Sequence, residues 1–290
     1  MSAARRVRPC GSRDWPALYQ SLEVEFLHSR GRTGSLSRRY PALFERPDAA
    51  TAFRCCEADG ALVGACALRR FSWHAERVFE GAMIGFVWTD PGRRGEGHAA
   101  FLLRAVVEEL AARGLDFVVL WSGLEGFYER LGWQRADPGV FASVPGNPNG
   151  TREALEPLVP ALLEGMRLAA DQPRLLRTCE DWRAVPIPAT TTGVIATDSA
   201  YVLCGELDAA RYVYEAHGSD AALAALWPRV VAGVSQVHVN DWTGGTLHGW
   251  LARQPGVRVK PQGLAFWQLL GTRARHADWR RWHLPWFDRI

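Results

Sequence analysis

Residues 87–99, VWTDPGRRGEGHA, connect an apolar strand to a long helix through a glycine-rich turn. The proline of this turn ends the strand, because it has no backbone N–H to give to a sheet. Gly95, Gly97 and Ala99 keep the turn free of bulk, so the backbone can come close to a ligand. The N–H groups of the first helical turn and the positive end of the helix dipole favour a phosphate at this point. Together with the forked guanidinium of Arg94, these features predict a cradle for a pyrophosphate group.

A second motif is needed, because the same turn is also compatible with a plain connection between a strand and a helix. The turn matches neither the GxxxxGK[ST] loop nor a complete GxGxxG turn of nucleotide-binding proteins. One helix and one strand later, residues 126–133 read GFYERLGW, with Tyr128 four residues before Gly132. The elements around both motifs run strand, helix, hairpin, strand, helix, strand, helix, strand. This order predicts an α+β fold in which helices flank a mixed, mostly antiparallel sheet.

Together the two motifs resemble those of the GNAT superfamily of acyl-CoA N-acyltransferases. The family's [QR]-x-x-G-x-[GA] motif is matched by Arg94, Gly97 and Ala99, and its Y-x-x-x-G-[FW] motif by Tyr128, Gly132 and Trp133. The resemblance covers about residues 5–137. It implies a GNAT-like fold, acetyl-CoA as the cosubstrate, and transfer of an acetyl group to a primary amine of a small molecule or a peptide.

The resemblance also implies roles for individual residues. The pyrophosphate of coenzyme A is expected on the backbone amides of Gly95, Glu96, Gly97, His98 and Ala99, with the guanidinium of Arg94 binding the same anion. The pantetheine arm is expected along Val87, Trp88 and Thr89, which requires the strand at 79–89 to part from the strand at 116–121. A backbone N–H near Val87 or Trp88 would bind the thioester oxygen and stabilise the oxyanion. Tyr128 is the expected general acid, which protonates the departing thiolate.

The sequence does not identify the general base. Many members of the family carry a glutamate in the middle of the strand that leads to the cradle, but Met83 stands near that position here. Other candidates, each also typical of a solvated surface, are Glu23, Glu25, His74, Glu80 and Asp90. A base acting through ordered water, or an amine that arrives neutral, would serve as well. Ser122 either touches pantetheine or caps the helix that begins near Leu124, and capping is the preferred interpretation.

The second half of the chain repeats the order of elements of the first half. A Pro- and Gly-rich stretch at 138–150 marks the predicted boundary. It separates a GNAT-like N-acetyltransferase domain at 1–140 from a degenerate GNAT-like domain at 151–290. The predicted elements of the second domain include a helix near 152–169 and a strand near 257–269.

The motifs of the second domain are altered. Where a second cradle is expected, residues 213–221 have one glycine and no arginine, and Leu251 stands in the position of the tyrosine. This domain is therefore expected to keep the fold without the chemistry. Its expected roles are to wall the acceptor cleft or to support a homodimer.

Composition narrows the classes of function. The net charge of +3 is mild, and the six cysteines form no CxxC pair, so they are expected to be buried free thiols and no metal site is expected. The sequence has neither an apolar signal core nor an 18-residue apolar run, which predicts a cytoplasmic protein without a membrane segment. Residues 273–290 interleave arginines with tryptophans, a pattern that can stack on nucleic-acid bases but more often is buried. An acyl-CoA-sensing or partner-binding protein without catalysis is the main alternative, and a nucleic-acid partner is not expected.

Overall fold

The computed structural model describes residues 5–169 and 172–290, and the chain forms two compact units. Unit 1 is Met1–Ala136 together with Leu264–Trp279 and Ile290. Unit 2 is Asp137–Gly263 together with Arg280–Arg289. Each unit contains one mixed sheet and its own hydrophobic core, so the predicted α+β class is confirmed.

The strands and helices follow one another along the whole described chain. The strands are β1 (Arg5–Pro9), β2 (Phe53–Ala58), β3 (Ala61–His74), β4 (Val78–Thr89), β5 (Phe117–Trp121), β6 (Gln134–Arg135), β7 (Gly139–Pro145), β8 (Arg174–Leu175), β9 (Thr191–Ala196), β10 (Tyr201–Leu207), β11 (Ala210–His217), β12 (Gln236–Trp242), β13 (Arg258–Pro261) and β14 (Ala265–Leu269). The α-helices are α1 (Trp15–Phe26), α2 (Leu36–Arg39), α3 (Pro41–Phe44), α4 (His98–Ala112), α5 (Glu125–Glu129), α6 (Pro160–Ala169), α7 (Asp220–Val231), α8 (Thr246–Leu251) and α9 (Thr272–Arg275).

The sheet of unit 1 runs in the order β1-β2-β3-β4-β5-β14-β6. Only the β4–β5 pair is parallel along this path, and the other neighbours are antiparallel. Helix α4 covers the sheet with a stripe at helical spacing, formed by Leu102, Leu103, Val106 and Leu110. Burial of such a side chain stabilises a fold by about 1.5–3 kcal/mol, so this stripe fixes α4 and the turn that precedes it.

The sheet of unit 2 runs in the order β13-β7-β12-β11-β10-β9. Its one parallel pair in this path is β11 with β12. Helix α7 packs Leu223, Leu226 and Val230 into the core of the unit, as α4 does in unit 1. The repeated order of elements predicted from the sequence is therefore present in the structure.

β7 and β14 each lie in a different sheet from the one that their place in the chain suggests. The strand predicted at 257–269 is interrupted, and its second part, β14, lies between β5 and β6 in the sheet of unit 1. The predicted boundary at 138–150 contains β7, which lies between β12 and β13 in the sheet of unit 2. The compact units thus differ from the predicted division at residue 140, because residues 264–279 complete the first sheet.

Local chemistry explains both differences. In residues 138–146 the prolines and glycines stand at the two ends, whereas Val140, Ala142 and Val144 alternate toward the buried face of a strand. Pro261 and Gly263 interrupt the second segment, so two short strands form instead of one long strand.

Two smaller expectations also needed correction. The helix expected near 152–169 begins only at Pro160, since proline is tolerated at the first position of a helix and not in its interior. The cysteines are free, as expected, but Cys179 is exposed while the other five are buried. Within residues 5–169 and 172–290, no helix has the length and apolar character that crossing a membrane requires.

Candidate functional site

The strands β4 and β5 part in the middle of the sheet of unit 1. They pair only where Gly81, Ala82 and Met83 face Phe117, Val118 and Val119. Beyond this point β4 continues to Thr89 and β5 to Trp121 without pairing with each other. The two strands therefore part as expected beyond these three pairs.

A β-bulge interrupts β4 beside this cleft. Phe86 and Val87 both stand opposite Cys66, between the pairs Gly85–Ala67 and Trp88–Ala65. Phe86 has a positive φ of 49°, a conformation that side chains other than glycine adopt rarely. Such a bulge leaves an extra residue outside the ladder and redirects the backbone.

The turn between β4 and α4 has the backbone that a ligand cradle requires. Gly95 and Gly97 have φ values of 86° and 81°, where a residue with a Cβ atom is strained. A Cβ atom placed on Gly95 would meet nothing within 4 Å, so the space above the turn is open. The first bond of α4 runs from Phe101 N to Gly97 O, which leaves the preceding N–H groups unused by the helix.

Charged side chains surround this turn. Arg94 Nη2 lies 2.7 Å from Glu25 Oε2, and Arg93 Nε lies 2.9 Å from Glu96 Oε2. The bond from Arg93, together with the contact from His98, lowers the pKa of Glu96. The His98 ring is buried and lies 3.1 Å from the Glu96 carboxylate, so only its backbone faces the turn as a ligand group.

Arg5 is a residue of this site that sequence reasoning missed. Its Nη2 donates to the Glu96 carbonyl oxygen at 2.8 Å, which brings the start of β1 to the cradle. Its Nε is buried and has no hydrogen-bond partner within the described residues. No spacing rule connects Arg5 with a turn 91 residues later, because only the folded sheet brings them together.

Tyr128 lies on α5 at the core of unit 1 and is only 5% exposed. Its ring contacts Phe266 of β14 at 5.4 Å and Trp133 at 6.2 Å between ring centroids. Burial raises the pKa of Tyr128, and a hydrogen bond from Ser122 lowers it in part. Ser122 Oγ also accepts from Leu124 N at 3.0 Å, so this residue shapes the turn before α5 and touches Tyr128.

The candidates for the general base are mostly held by other groups. Met83 is fully buried in the sheet and offers no base. Glu23 accepts from the Tyr19 hydroxyl and from Leu36 N, and Glu80 accepts from Ser72.

The two remaining carboxylates lie at the cradle itself. Glu25 is paired with Arg94, and Asp90 accepts from Gly92 N at 2.9 Å. His74 ends β3, at the far end of the β3–β4 ladder from Thr89, so it lies away from the cradle. The structure therefore singles out none of these five side chains as the base.

The main chain of Ile290 is a second feature that sequence reasoning missed. A Cβ atom on Gly85 would lie 2.6 Å from the main-chain oxygen of Ile290. The absence of a side chain at Gly85 is therefore what admits this segment next to the bulge of β4. The ring of Phe86 on that bulge meets Phe26, Tyr40 and Phe44 at 5.1–5.3 Å between centroids, so aromatic side chains also border this point.

Unit 2 lacks the equivalent groups among its described residues. Only Gly218 and Ser219 connect β11 to α7, and the Ser219 side chain accepts from Ala222 N at 3.2 Å. Leu251, in the position of the tyrosine, is buried in the core of the unit. Neither an open glycine turn nor a phenol stands at the corresponding place.

Comparison with known proteins agrees with this description. Residues 6–136 match a family model described as an acetyltransferase (GNAT) domain. A GCN5-related N-acetyltransferase from Anabaena variabilis has a similar structure with a TM-score of 0.72 and 15% identity, and the match covers 92% of this chain and 73% of that chain. A GCN5-related N-acetyltransferase from Kribbella flavida gives a TM-score of 0.67 and 18% identity, with 92% and 71% covered.

The solved structures and the family model support different conclusions. At such low identity the likeness to solved structures shows the fold, and the family model adds the acyltransferase class and its use of acyl-CoA. No curated protein sequence matches the chain. The match of residues 6–136, the glycine turn, the parted strands and Tyr128 coincide in one unit. Residues 6–136, a little under half of the chain, thus match the GNAT acetyltransferase domain model, which supports the acyltransferase class for this unit.

Proposed function

We propose that this protein is an N-acetyltransferase that moves an acetyl group from acetyl-CoA to a primary amine of a small molecule or a peptide. Two features of unit 1 together carry the proposal. The glycine turn is open, and strands β4 and β5 part beyond their last pair, Met83 and Val119. The first feature suits a phosphate group and the second suits an extended arm that lies beside a strand. A protein that only needed the fold would not need to keep both.

The residues of the cradle fit the pyrophosphate of coenzyme A. Gly95 to Ala99 would offer backbone N–H groups at the start of a 15-residue helix, and the dipole of that helix favours an anion. Arg94, which is half exposed, and the unused Nε of Arg5 would add permanent positive charge. The pantetheine arm would lie along Val87, Trp88 and Thr89 in the cleft.

When bound, acetyl-CoA supplies an acetyl group that is activated as a thioester. The bulge at Phe86 and Val87 interrupts the ladder of β4, which supports a backbone N–H near Val87 as the donor to the thioester oxygen. Burial keeps Tyr128 protonated at neutral pH, so its hydroxyl can donate a proton to the leaving sulfur. Ser122, at the end of β5, would hold the phenol in place.

The surroundings of the bulge indicate the class of acceptor amine. The ring of Phe86 contacts the rings of Phe26, Tyr40 and Phe44. Aromatic walls bind apolar and aromatic bodies well. We therefore propose an amine attached to an apolar or aromatic body.

Release of free thiol from acetyl-CoA tests this function. The purified chain should release thiol when it is mixed with primary amines, and faster with arylalkyl amines than with short hydroxylated amines. Intact-mass analysis should show an added acetyl group on the amine. Tight binding of acetyl-CoA with no thiol release from aliphatic, aromatic or peptide amines would favour the alternative of a non-catalytic sensor.

A further inference from the structure

Unit 2 contains a polar cavity where its own parallel strands part. The pairing of β11 with β12 ends at Val213 and Val239. Beyond that point, a cavity of about 50 Å³ lies between residues 214–217 and 240–242. One water molecule takes about 10–15 Å³ on this measure, so a group of a few non-hydrogen atoms fits.

The charge of Glu215, one of the two carboxylates that line the cavity, is already compensated. Glu215 is bound by Arg177 at 2.6 and 3.1 Å and by the Tyr201 hydroxyl at 2.5 Å. Arg167 Nε lies 3.4 Å from the same carboxylate. Burial would raise the pKa of Glu215, but the charges of Arg177 and Arg167 outweigh it and hold this pKa well below its usual range. Glu215 is thus a fixed partner of these arginines and has little capacity left for a ligand.

Asp241, the other carboxylate at the cavity, is occupied by the backbone. Its Oδ2 accepts from His248 N at 2.6 Å. Burial raises its pKa to about 7, so it carries only part of a negative charge at neutral pH. It therefore repels an anion less than an exposed aspartate would.

Hydrogen-bond donors, in contrast, remain unused at this cavity. Asn240 is 2% exposed, and its Oδ1 accepts from Trp286 N at 3.1 Å, which fixes the orientation of the amide. Its Nδ2 is buried and finds no partner within residues 5–169 and 172–290. Arg174 Nε is likewise buried and has no hydrogen-bond partner within these residues. A buried donor without an acceptor is costly, so the site is built to receive one.

We propose that this cavity binds the carboxylate group of a small molecule, with Asn240 Nδ2 and Arg174 Nε as the donors. A planar carboxylate fits the volume, and its two oxygens provide one acceptor for each of these two donors that line the cavity. The dianion of a phosphate group suits the site less well, because the partly charged Asp241 borders the same space and would repel two charges more strongly than one. The site is separate from the cradle of unit 1, so it does not depend on the proposed acyl transfer.

Titration of the full-length protein with ¹³C-labelled acetate, followed by NMR, tests this proposal. Acetamide serves as the uncharged probe of the same shape, and inorganic phosphate as the alternative anion. We expect acetate to bind at least tenfold more tightly than either. Asn240→Asp keeps the size of the side chain and the acceptor for Trp286 N but replaces the free donor with an acceptor. It should weaken acetate binding at least tenfold, and so should Arg174→Gln.

Two controls keep this result separate from the proposed function. Arg104→Gln changes an exposed arginine on α4 in unit 1 and should leave acetate binding unchanged. Acetyl-CoA affinity, measured by calorimetry, should stay within twofold of wild type in all variants that fold by circular dichroism. Equal binding of acetate and acetamide, tighter binding of phosphate, or acetate binding that Arg174→Gln leaves unchanged would overturn the carboxylate site without affecting the acetyl-CoA result.

Discussion

Arg94 Nη2 lies 2.7 Å from Oε2 of Glu25, a residue of helix α1 that precedes it by 69 positions. The two side chains are 52% and 31% exposed, so the pair itself adds only about 0–1 kcal/mol to stability. The main effect of the pair is to position the guanidinium group of Arg94. Arg94 Nε also approaches the Thr89 carbonyl at 3.4 Å, so the guanidinium is held between α1 and the end of β4. The charge therefore stands beside the glycine turn before any ligand binds.

Replacement of this arginine tests the cradle. Arg94→Ala should raise the KM for acetyl-CoA about 10- to 100-fold, because hydrogen bonds to a charged group are worth about 1.5–3 kcal/mol. Turnover should change less, since the contact is present in both the ground state and the transition state. Steady-state kinetics and calorimetry measure the two effects, with Arg104→Ala on α4 as the matched control. Unchanged affinity for acetyl-CoA would remove Arg94 from the site.

Tyr128→Phe tests the general acid. The variant keeps the ring that packs on Phe266, so the fold and the affinity for acetyl-CoA should be preserved. The rate of acyl transfer should fall about 10²- to 10⁴-fold, as is typical when a general acid is lost. Single-turnover kinetics are the appropriate measurement, because slow product release could hide the loss. Tyr212→Phe in unit 2 is the control, and equal single-turnover rates for both variants would contradict the assignment.

A second acyl-CoA site is not expected in unit 2. Residues 90–97 separate β4 from α4, whereas only residues 218–219 separate β11 from α7. The shorter connection exposes fewer backbone N–H groups to a pyrophosphate. Calorimetric titration should therefore give one CoA per chain, and this one should be lost on disruption of the turn at Gly97. Two equivalent sites per chain would refute this expectation.

The buried arginine of unit 2 should control the stability of that unit. Arg177 is fully buried and binds both Glu215 and Asp288. Arg177→Met leaves two buried carboxylates without this partner, which costs about 3–5 kcal/mol in the free energy of unfolding. Arg253→Met removes an exposed pair with Asp220 and should change it by less than about 0.5 kcal/mol. Urea denaturation of both variants measures the difference, and equal midpoints would show that the buried pair is not stabilising.

The ion pair between this arginine and Glu215 also makes the free energy of unfolding depend on pH in the acidic range. The pKa of Glu215 is lower in the folded protein than in the unfolded chain, so its stabilising contribution is present above the unfolded value of about 4.3. This contribution is lost as the pH falls from there toward the folded value. In Arg177→Met the loss between neutral pH and pH 3 should be smaller than in wild type. Urea denaturation of wild type and Arg177→Met at several pH values measures this difference.

Fragments of the chain test the assignment of β14 to unit 1. A fragment of residues 1–140 lacks Phe266 and Trp267, which pack on Tyr128 and Phe117, and should neither fold cooperatively nor bind acetyl-CoA. A protein in which residues 1–136 are joined to 264–279 by a flexible linker restores the path β5-β14-β6 and should bind acetyl-CoA. Thermal unfolding and calorimetry distinguish the two. A fully folded 1–140 fragment would show that β14 is dispensable.

Local pattern was sufficient for the glycine turn, for the strand and helix on either side of it, and for the α+β class. The glycine turn, the proline that precedes it and the tyrosine motif are properties of short segments, and each acts through its own backbone or its own helix. The prediction of β4 at 79–89 and of α4 near 97–113 agrees with the observed Val78–Thr89 and His98–Ala112 within one residue.

The missed features all depend on contacts between distant parts of the chain. Arg5 reaches Glu96 and Ile290 reaches Gly85 only because the sheet brings them together. β7 was missed because prolines and glycines at its ends gave residues 138–150 the composition of a linker. Only pairing with β12 and β13 makes it a strand. The general base could not be predicted because the family's glutamate position holds Met83, and no other local pattern replaces it.

The place of β14 has a consequence for how the protein is made. A chain emerging from the ribosome completes β5 at residue 121, but its antiparallel neighbour β14 is synthesised only after residues 122–264. Multidomain proteins commonly fold their N-terminal domain first during synthesis. Here the edge of β5 stays open during that interval, and such an unpaired edge can pair wrongly. The nascent chain should therefore depend on chaperones until residue 269 has emerged, even though most of unit 1 is made first.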